Sequence, residues 1–301
     1  MTQRPVRLDA AAGGAGGSWY VLLEGLARLV HEVHPWIEMR VVEGGGVMNH
    51  EAVGTGRMPV AILNPPMTVA ARAGRPPFDR ALPGLRVGIT NLTVNHLQFM
   101  VDRGLPLATL GDWAARRHPL RVPVDRVGTV DRLVFEMALE PIGLTEDALQ
   151  GWGGALVPAD TYPQQLALYR EGTVDALWQF MGIPSPSIQE AHAARPLKPV
   201  ALPEDLIARL TRLGWSPAEL PAGAYGVVTT PVPTVSMGTS LGFHGSVDAE
   251  VVHAIVAAIC DHPERVQAIH PAAASFDPTR AHLDAGGPLH EGCARYFKRS
   301  G

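Results

Sequence analysis

Val6-Arg7-Leu8-Asp9-Ala10-Ala11-Ala12, followed by Gly13-Gly14-Ala15-Gly16-Gly17-Ser18-Trp19-Tyr20, is the stretch whose reading decides the fold. Val6 to Ala11 reads as a short apolar strand, and the glycines beyond it let backbone N–H groups approach a ligand closely. Ser18 is placed to cap a helix. Leu22, Leu26, Leu29, Val30 and Val33 then recur at three- and four-residue spacing, the stripe of an amphipathic helix that Pro35 stops.

The same unit repeats downstream. Ile37 to Val42 is a strand, Gly44-Gly45-Gly46 a second glycine turn, Met48 to Val53 a short helix, and Val60 to Leu63 a buried strand ending at Asn64-Pro65-Pro66. Strand, loop and helix in alternation predict a largely parallel sheet whose ligand site lies beyond the carboxyl ends of its strands.

A second set follows an unusually long breaker-poor stretch over residues 86–101. Arg121 to Val124 and Val174 to Phe180 read as strands, Gly128-Thr129 opens a helix over residues 129–140, and Asp160 to Tyr169 forms another with Pro163 in its first turn. Beyond Pro203 come a helix to Leu213, strands at Tyr225 to Thr229 and Thr234 to Phe243, and helices at Asp248 to Cys260, Pro263 to His270 and Glu291 to Lys298. The order fits an α/β protein of two lobes, residues 1–91 with 243–301 and residues 92–242, joined by extended crossings near residues 90–97 and 234–243.

Composition narrows the function. The chain's 301 residues are 46% hydrophobic and 18% charged, enough to bury substantial cores. A net charge of −4 offers no basic face for a phosphate backbone, so nucleic acid is not expected as a partner. The apolar runs, such as Ala254 to Cys260, are too short to span a bilayer. Met1 to Arg7 lacks the apolar stretch of an export signal, which fits either a cytosolic chain or one whose leader a start Met has replaced. Cys260 and Cys293 have no paired spacing and read as two buried free thiols.

Enzyme signatures are mostly missing. There is no Gly-Lys pair of a phosphate-binding loop and no His-Glu-x-x-His helix; His31-Glu32-Val33-His34 comes nearest, at a helix end and with the wrong spacing. The glycine run also fails as a nucleotide fingerprint, because Trp19 stands three places after Gly16. What remains is a helix N-terminus suited to a carboxylate, matched in the second lobe by the end at Thr129 with Arg126 beside it. Trp19 and Tyr20, with Phe180 and Met181 before Gly182-Ile183-Pro184, supply aromatic and apolar walls. An enzyme on the same fold acting on a small carboxylate or a pyrimidine precursor would have Ser18, Tyr20 or His96 as nucleophile or base. A third reading is a cytosolic or surface-exposed sensor that docks on a partner protein.

Over nearly its whole length the chain resembles the TAXI-type solute receptors of TRAP (tripartite ATP-independent periplasmic) transporters. The likeness rests on residues 13–20, on Glu43-Gly44-Gly45-Gly46, on Gly128-Thr129, on Glu171 to Ala176 leading into Gly182 to Glu190, and on Pro288-Leu289-His290-Glu291-Gly292 before Arg295-Tyr296. Two departures stand out: Arg126-Val127 where that family has a small Ser-Gly pair, and Met58-Pro59 where it has an acidic residue. The resemblance implies the type II periplasmic-binding-protein fold, a periplasmic location, an amino acid or other small carboxylate held between two lobes by hinge closure, and delivery to the membrane subunit of a TRAP transporter. A monomer with no metal, no cofactor and no catalytic residue is expected. The residues expected at the site are Gly17, Ser18, Trp19, Tyr20, Gly45, Gly46 and Asn64 from the first lobe and His96, Arg126, Gly128, Thr129, Phe180 and Met181 from the second.

Overall fold

The computed structural model describes residues 4–15 and 17–299; Met1 to Gln3, Gly16 of the glycine run, Ser300 and Gly301 lie outside the described residues. In chain order, β1 (Val6–Ala11) leads to α1 (Ser18–Val33), β2 (Ile37–Val42), α2 (Gly46–Gly54), β3 (Val60–Leu63), α3 (Pro65–Ala73) and β4 (Leu85–Ile89). The middle of the chain runs β5 (Val94–Asp102), α4 (Leu110–Ala115), β6 (Arg121–Val124), α5 (Val130–Leu139), α6 (Glu146–Gly151), β7 (Ala155–Pro158), α7 (Tyr162–Arg170), β8 (Ala176–Met181), α8 (Pro186–Ala194), β9 (Leu197–Pro199), α9 (Glu204–Arg212), β10 (Ser216–Leu220) and β11 (Val232–Gly238). It ends with β12 (Ser240–His244), α10 (Ala249–Cys260), α11 (Pro263–Gln267) and α12 (Glu291–Arg299).

Contacts divide the chain into two units, Met1–Val94 with Met237–Gly301 and Asn95–Ser236. The chain thus leaves the first unit within β5 and returns to it within β11. Among the described residues, no helix is long and apolar enough to cross a membrane.

The first unit is built on a five-stranded sheet in the order β2-β1-β3-β12-β4. β1 pairs parallel with β2 and β3, while β12 lies antiparallel between β3 and β4. Four strands therefore share one direction, and their carboxyl ends fall on the edge where β12 begins. Leu22, Leu26, Val30, Ile255 and Ile259 from α1 and α10 pack with Ile62, Leu241 and Phe243 of the sheet, all fully buried. Pro35 follows His34, the C-cap of α1, where its missing N–H costs the helix no bond, and the stripe read from the sequence is the buried face of that helix. Cys260 and Cys293 are free and buried here, and burial pushes both thiols up, Cys293 to about 12.

The second unit has a sheet in the order β10-β11-β5-β8, with β9 also paired to β5, and a parallel pair β6-β7. β5 and β8 run antiparallel, setting His96 opposite Met181, Gln98 opposite Gln179 and Phe99 opposite Trp178. Because side chains alternate along a strand, the two faces separate cleanly. Phe99 and Trp178 pack with Phe135 on one face, ring centroids 5.2–5.4 Å apart. Met100 and Leu177 meet Tyr169 of α7 and Ile188 of α8 on the other.

Three local expectations are corrected. Gly17, not Ser18, is the cap of α1, and it makes no side-chain bond. No strand covers Tyr225 to Thr229; a 3-10 turn at Ala224–Gly226 stands there, with Tyr225 at φ 55° between Gly223 and Gly226 at φ 87° and 68°. The Tyr225 hydroxyl, bonded to Gln98 and Ser185, supplies the tertiary hold that overrides the strand preference of the apolar residues around it. The single strand expected over Thr234 to Phe243 also breaks: β11 and β12 part at Thr239, whose N–H bonds Thr93 O at 2.9 Å and whose C=O accepts from Leu92 N at 3.0 Å.

Candidate functional site

At the carboxyl edge of the first sheet, three strands each turn into a helix, so the N-termini of α1, α2 and α3 come to one edge. Asn49, fully buried on α2, fastens this edge together. Its Oδ1 accepts from Gly45 N at 3.0 Å, and its Nδ2 donates to Ala12 O at 2.7 Å and Ile62 O at 2.8 Å. One side chain thus ties the ends of β1 and β3 to the turn after β2. On the next position His50 is also fully buried, with Nδ1 on Gly46 O and Nε2 3.1 Å from Thr68 Oγ1. Burial drives its pKa down to about 4, so the ring is neutral at physiological pH.

Asn64 caps α3, its Oδ1 accepting from Met67 N at 3.0 Å ahead of Pro65. The Nδ2 of this fully buried side chain has no hydrogen-bond partner among the described residues. Ser240, which opens β12 opposite Leu63, is likewise buried with Oγ unpartnered. Two enclosed donors therefore sit at the strand ends where the helix N-termini also bring partial positive charge. The glycine loop is less open than its composition implies. Gly17 N donates to Gly14 O at 3.0 Å, and Ala15 N donates to the Glu43 carboxylate at 3.0 Å. Trp19 Nε1 donates to Thr239 Oγ1 at 3.0 Å, where Thr93 Oγ1 also donates at 2.6 Å, so the indole secures the paired chain segments beside the sheet. Ser18 is the first residue of α1, and half-buried Tyr20 packs on the main core.

In the second unit, Thr129 caps α5 through Arg132 N, following Gly128 at φ 93°. Arg126 is exposed, and its N–H donates to the Asp125 carboxylate at 2.7 Å. That carboxylate is pushed up to about 7, chiefly by burial and then by the charge of Asp131, with Asp160 adding to it and Arg126 opposing. Buried Asp131 accepts from Phe180 N at 2.9 Å and from the Tyr162 hydroxyl at 2.8 Å, and burial holds it at about 6. The surroundings of Thr129 are therefore acidic, which suits a proton or cation better than an anion.

Phe180 points to the aromatic face of β8, and Met181 to the opposite face, where its Sδ accepts from Ser185 Oγ at 3.1 Å. His96, Gln98 and Gln179 share that second face. Gln98 is fully satisfied: its Nε2 donates to Met181 O at 3.1 Å and its Oε1 accepts from the Tyr225 hydroxyl at 2.6 Å. Gln179 Nε2 donates to Gln165 Oε1 of α7 at 3.1 Å. His96 is held down in pKa by burial, and burial raises Tyr225 to about 12, so this face is polar and uncharged at pH 7.

The fold thus groups Gly17, Ser18, Gly45, Gly46 and Asn64 along one sheet edge of the first unit and His96 and Met181 along one face of the second. It sets Phe180 on the other face. The sequence reading missed Asn49, Gln98, Gln165, Gln179 and Tyr225. The signal was present for two of them: Leu97-Gln98-Phe99 and Trp178-Gln179-Phe180 each set one amide amid large apolar neighbours on a strand. Among the described residues, no group of His, Cys, Asp and Glu is arranged to hold a metal ion.

Solved structures share this architecture. MatC from Rhodopseudomonas palustris, with bound malate, is 15% identical over 98% of this chain and 98% of its own, with a TM-score of 0.58. A periplasmic transporter is 14% identical over 98% of this chain and 92% of its own at 0.56, and the periplasmic binding protein BugD is 12% identical over 99% and 96% at 0.53. The fold is that of the periplasmic binding proteins. The chain belongs to the NMT1-like family, whose model matches residues 10–301. No curated protein matches it in sequence.

Proposed function

We propose that the chain is an extracytoplasmic receptor that captures a small carboxylate-bearing solute, an amino acid or organic acid, and delivers it to the membrane subunit of a TRAP-type transporter. The carrying observation is the pair of enclosed, unpartnered donors Asn64 Nδ2 and Ser240 Oγ at the strand ends of the first unit, next to three helix N-termini. A hydrogen bond to a charged group contributes about 1.5–3 kcal/mol, and a helix N-terminus about 0.3–1 kcal/mol. Together these reach roughly the 5.5 kcal/mol needed to reverse a 1:99 conformational ratio. The malate recorded with MatC is a solute of this chemical class. The transporter partner rests on the motif resemblance in the glycine run and in residues 171–190.

Under this reading the protein holds the solute and performs no chemistry on it. The carboxylate is assigned to the first unit, because Asp125 and Asp131 make the α5 end a poor anion site. Arg126, set beside Asp125, takes a share only if Arg126→Ala weakens binding.

Native mass spectrometry of freshly purified protein tests the proposal. A retained small carboxylate, recovered unaltered after long incubation and accompanied by a smaller radius of gyration in scattering, is the expected result. A solute converted to product, or a protein that neither retains nor binds any small carboxylate, overturns it.

A further inference from the structure

β2 is an edge strand of the first sheet, and its outer side is open in a way the opposite edge is not. At that opposite edge Val87 of β4 is closed off by residues 288–290: Val87 N donates to Pro288 O at 3.0 Å, and His290 N donates to Val87 O at 2.7 Å. In the parallel ladder with β1, alternate residues of β2 face inward, since Val6 N donates to Trp36 O at 2.8 Å and Ala12 N to Val42 O at 2.9 Å. That phase sends the N–H and C=O groups of Ile37, Met39 and Val41 the other way. Ile37 is satisfied there, its N–H donating to His34 O at 2.9 Å and its C=O lying 3.0 Å from His31 Nδ1. Met39 and Val41 have no such partner among the described residues, and an edge left in this state is a template for another strand.

Beside this free stretch, a groove of about 580 Å³ lies between β2 and α1, lined by Ala27, Met39 and Val41 with Glu24 and Arg28 of α1. It leaves room on the α1 side of the sheet for the side chains of an added strand. On the other face Glu38 and Arg40 are exposed, where Arg7 Nε donates to Glu38 at 2.7 Å and Arg40 donates to both Asp9 oxygens at 2.7 and 2.8 Å.

These charges select the occupant. An antiparallel strand pairs across this edge through the outward residues of both chains, so a second copy of β2 can set Met39 opposite Met39, Met39 opposite Val41, or Val41 opposite Val41. The second register places Arg40 against Arg40, and the third sets Arg40 opposite Val42 and Glu38 opposite Gly44. The first alone puts Glu38 of each copy opposite Arg40 of the other, in the closely spaced pairing between hydrogen-bonded pairs. Charge then alternates across four strands, from Asp9 to Arg40 to Glu38 and Arg7 of the second copy. A twofold axis at Met39 makes the same contact twice.

We propose that β2 is a dimerisation edge, pairing antiparallel with β2 of a second copy about Met39, so that two five-stranded sheets join into one, in place of the monomer expected from the sequence. Glu38 and Arg40 fix the register. The dimer is independent of the receptor reading, and either can fail without the other.

Sedimentation equilibrium of the full chain tests the dimer. The mass is expected to rise with concentration from 32.1 kDa toward twice that value. Glu38→Arg and Arg40→Glu each set like charges against one another across the edge. Each is expected to weaken dimerisation by about 10-fold or more, with an unchanged circular dichroism spectrum because both positions are exposed. Mixed in equal amounts, the two variants regain opposite charges at both contacts and are expected to dimerise as the wild type does. Amide hydrogen exchange on the wild type needs no variant: protection of the Met39 N–H is expected to grow with concentration. A wild type that stays at 32.1 kDa up to about 1 mM overturns the dimer. So does dimerisation that neither single variant weakens, a mixture of folded variants that stays monomeric, or a Met39 amide that exchanges at one rate at every concentration.

Discussion

Asp125 shows how a single residue reports its surroundings. Burial and the nearby Asp131 and Asp160 raise its carboxyl to about 7, against an ordinary value of 3.8. Between those values the folded chain holds a proton that the unfolded chain has released, so this group's contribution to stability is full below about pH 4 and is lost as the pH rises through about 7. Asp125→Asn is therefore expected to flatten the fall in melting temperature between about pH 5 and about pH 8, measured by thermal melts across that range. His50 acts with the opposite sign: its pKa is lowered from 6.5 to about 4, so stability present above 6.5 is lost as the pH falls through 4. His50→Gln is expected to be less stable at neutral pH yet to lose less on acidification, read by the same melts. At this scale the sequence was partly legible. Asn64 was singled out because it precedes Pro65 at a strand end, and the structure makes it the cap of α3. Gln165 was not, because a glutamine on a helix reads as solvated surface until α7 is known to pack against β8.

Elements depend on a few such residues. The edge of the first sheet converges because Asn49 bonds Gly45, Ala12 and Ile62 from one buried position. Asn49→Ala leaves these backbone groups unpaired and is expected to cost about 3 kcal/mol, seen as a lower denaturant midpoint with an unchanged slope. Gly44 belongs to the same joint: a Cβ there would fall on Asn49 Oδ1 and lie 2.9 Å from Ala12 O, so the first glycine of this turn is set by packing. The alternation of strand, loop and helix over residues 6–73 was legible because period and breakers agreed there. The turn at Tyr225 was not legible: its hydroxyl bonds to Gln98 and Ser185 are made by residues 127 and 40 positions away. The break at Thr239 has the same cause, since its pairing with Leu92 and Thr93 is fixed by a distant segment.

At the scale of the whole molecule, the chain order alone carried the architecture. Strand and helix alternate, leave one unit and return to it, and the two passages lie in the extended segments β5 and β11. The proposed function rests on the enclosed donors and helix N-termini at the strand ends of the first unit. Titration calorimetry of wild type and Asn64→Asp against butyrate, succinate and glutarate tests that reading directly. Aspartate keeps the cap on α3 but replaces the Nδ2 donor with negative charge. The account predicts that at least one of these acids binds the wild type and that Asn64→Asp weakens it by about 100-fold or more, with the fold intact by circular dichroism. Equal affinity in the two proteins would contradict it.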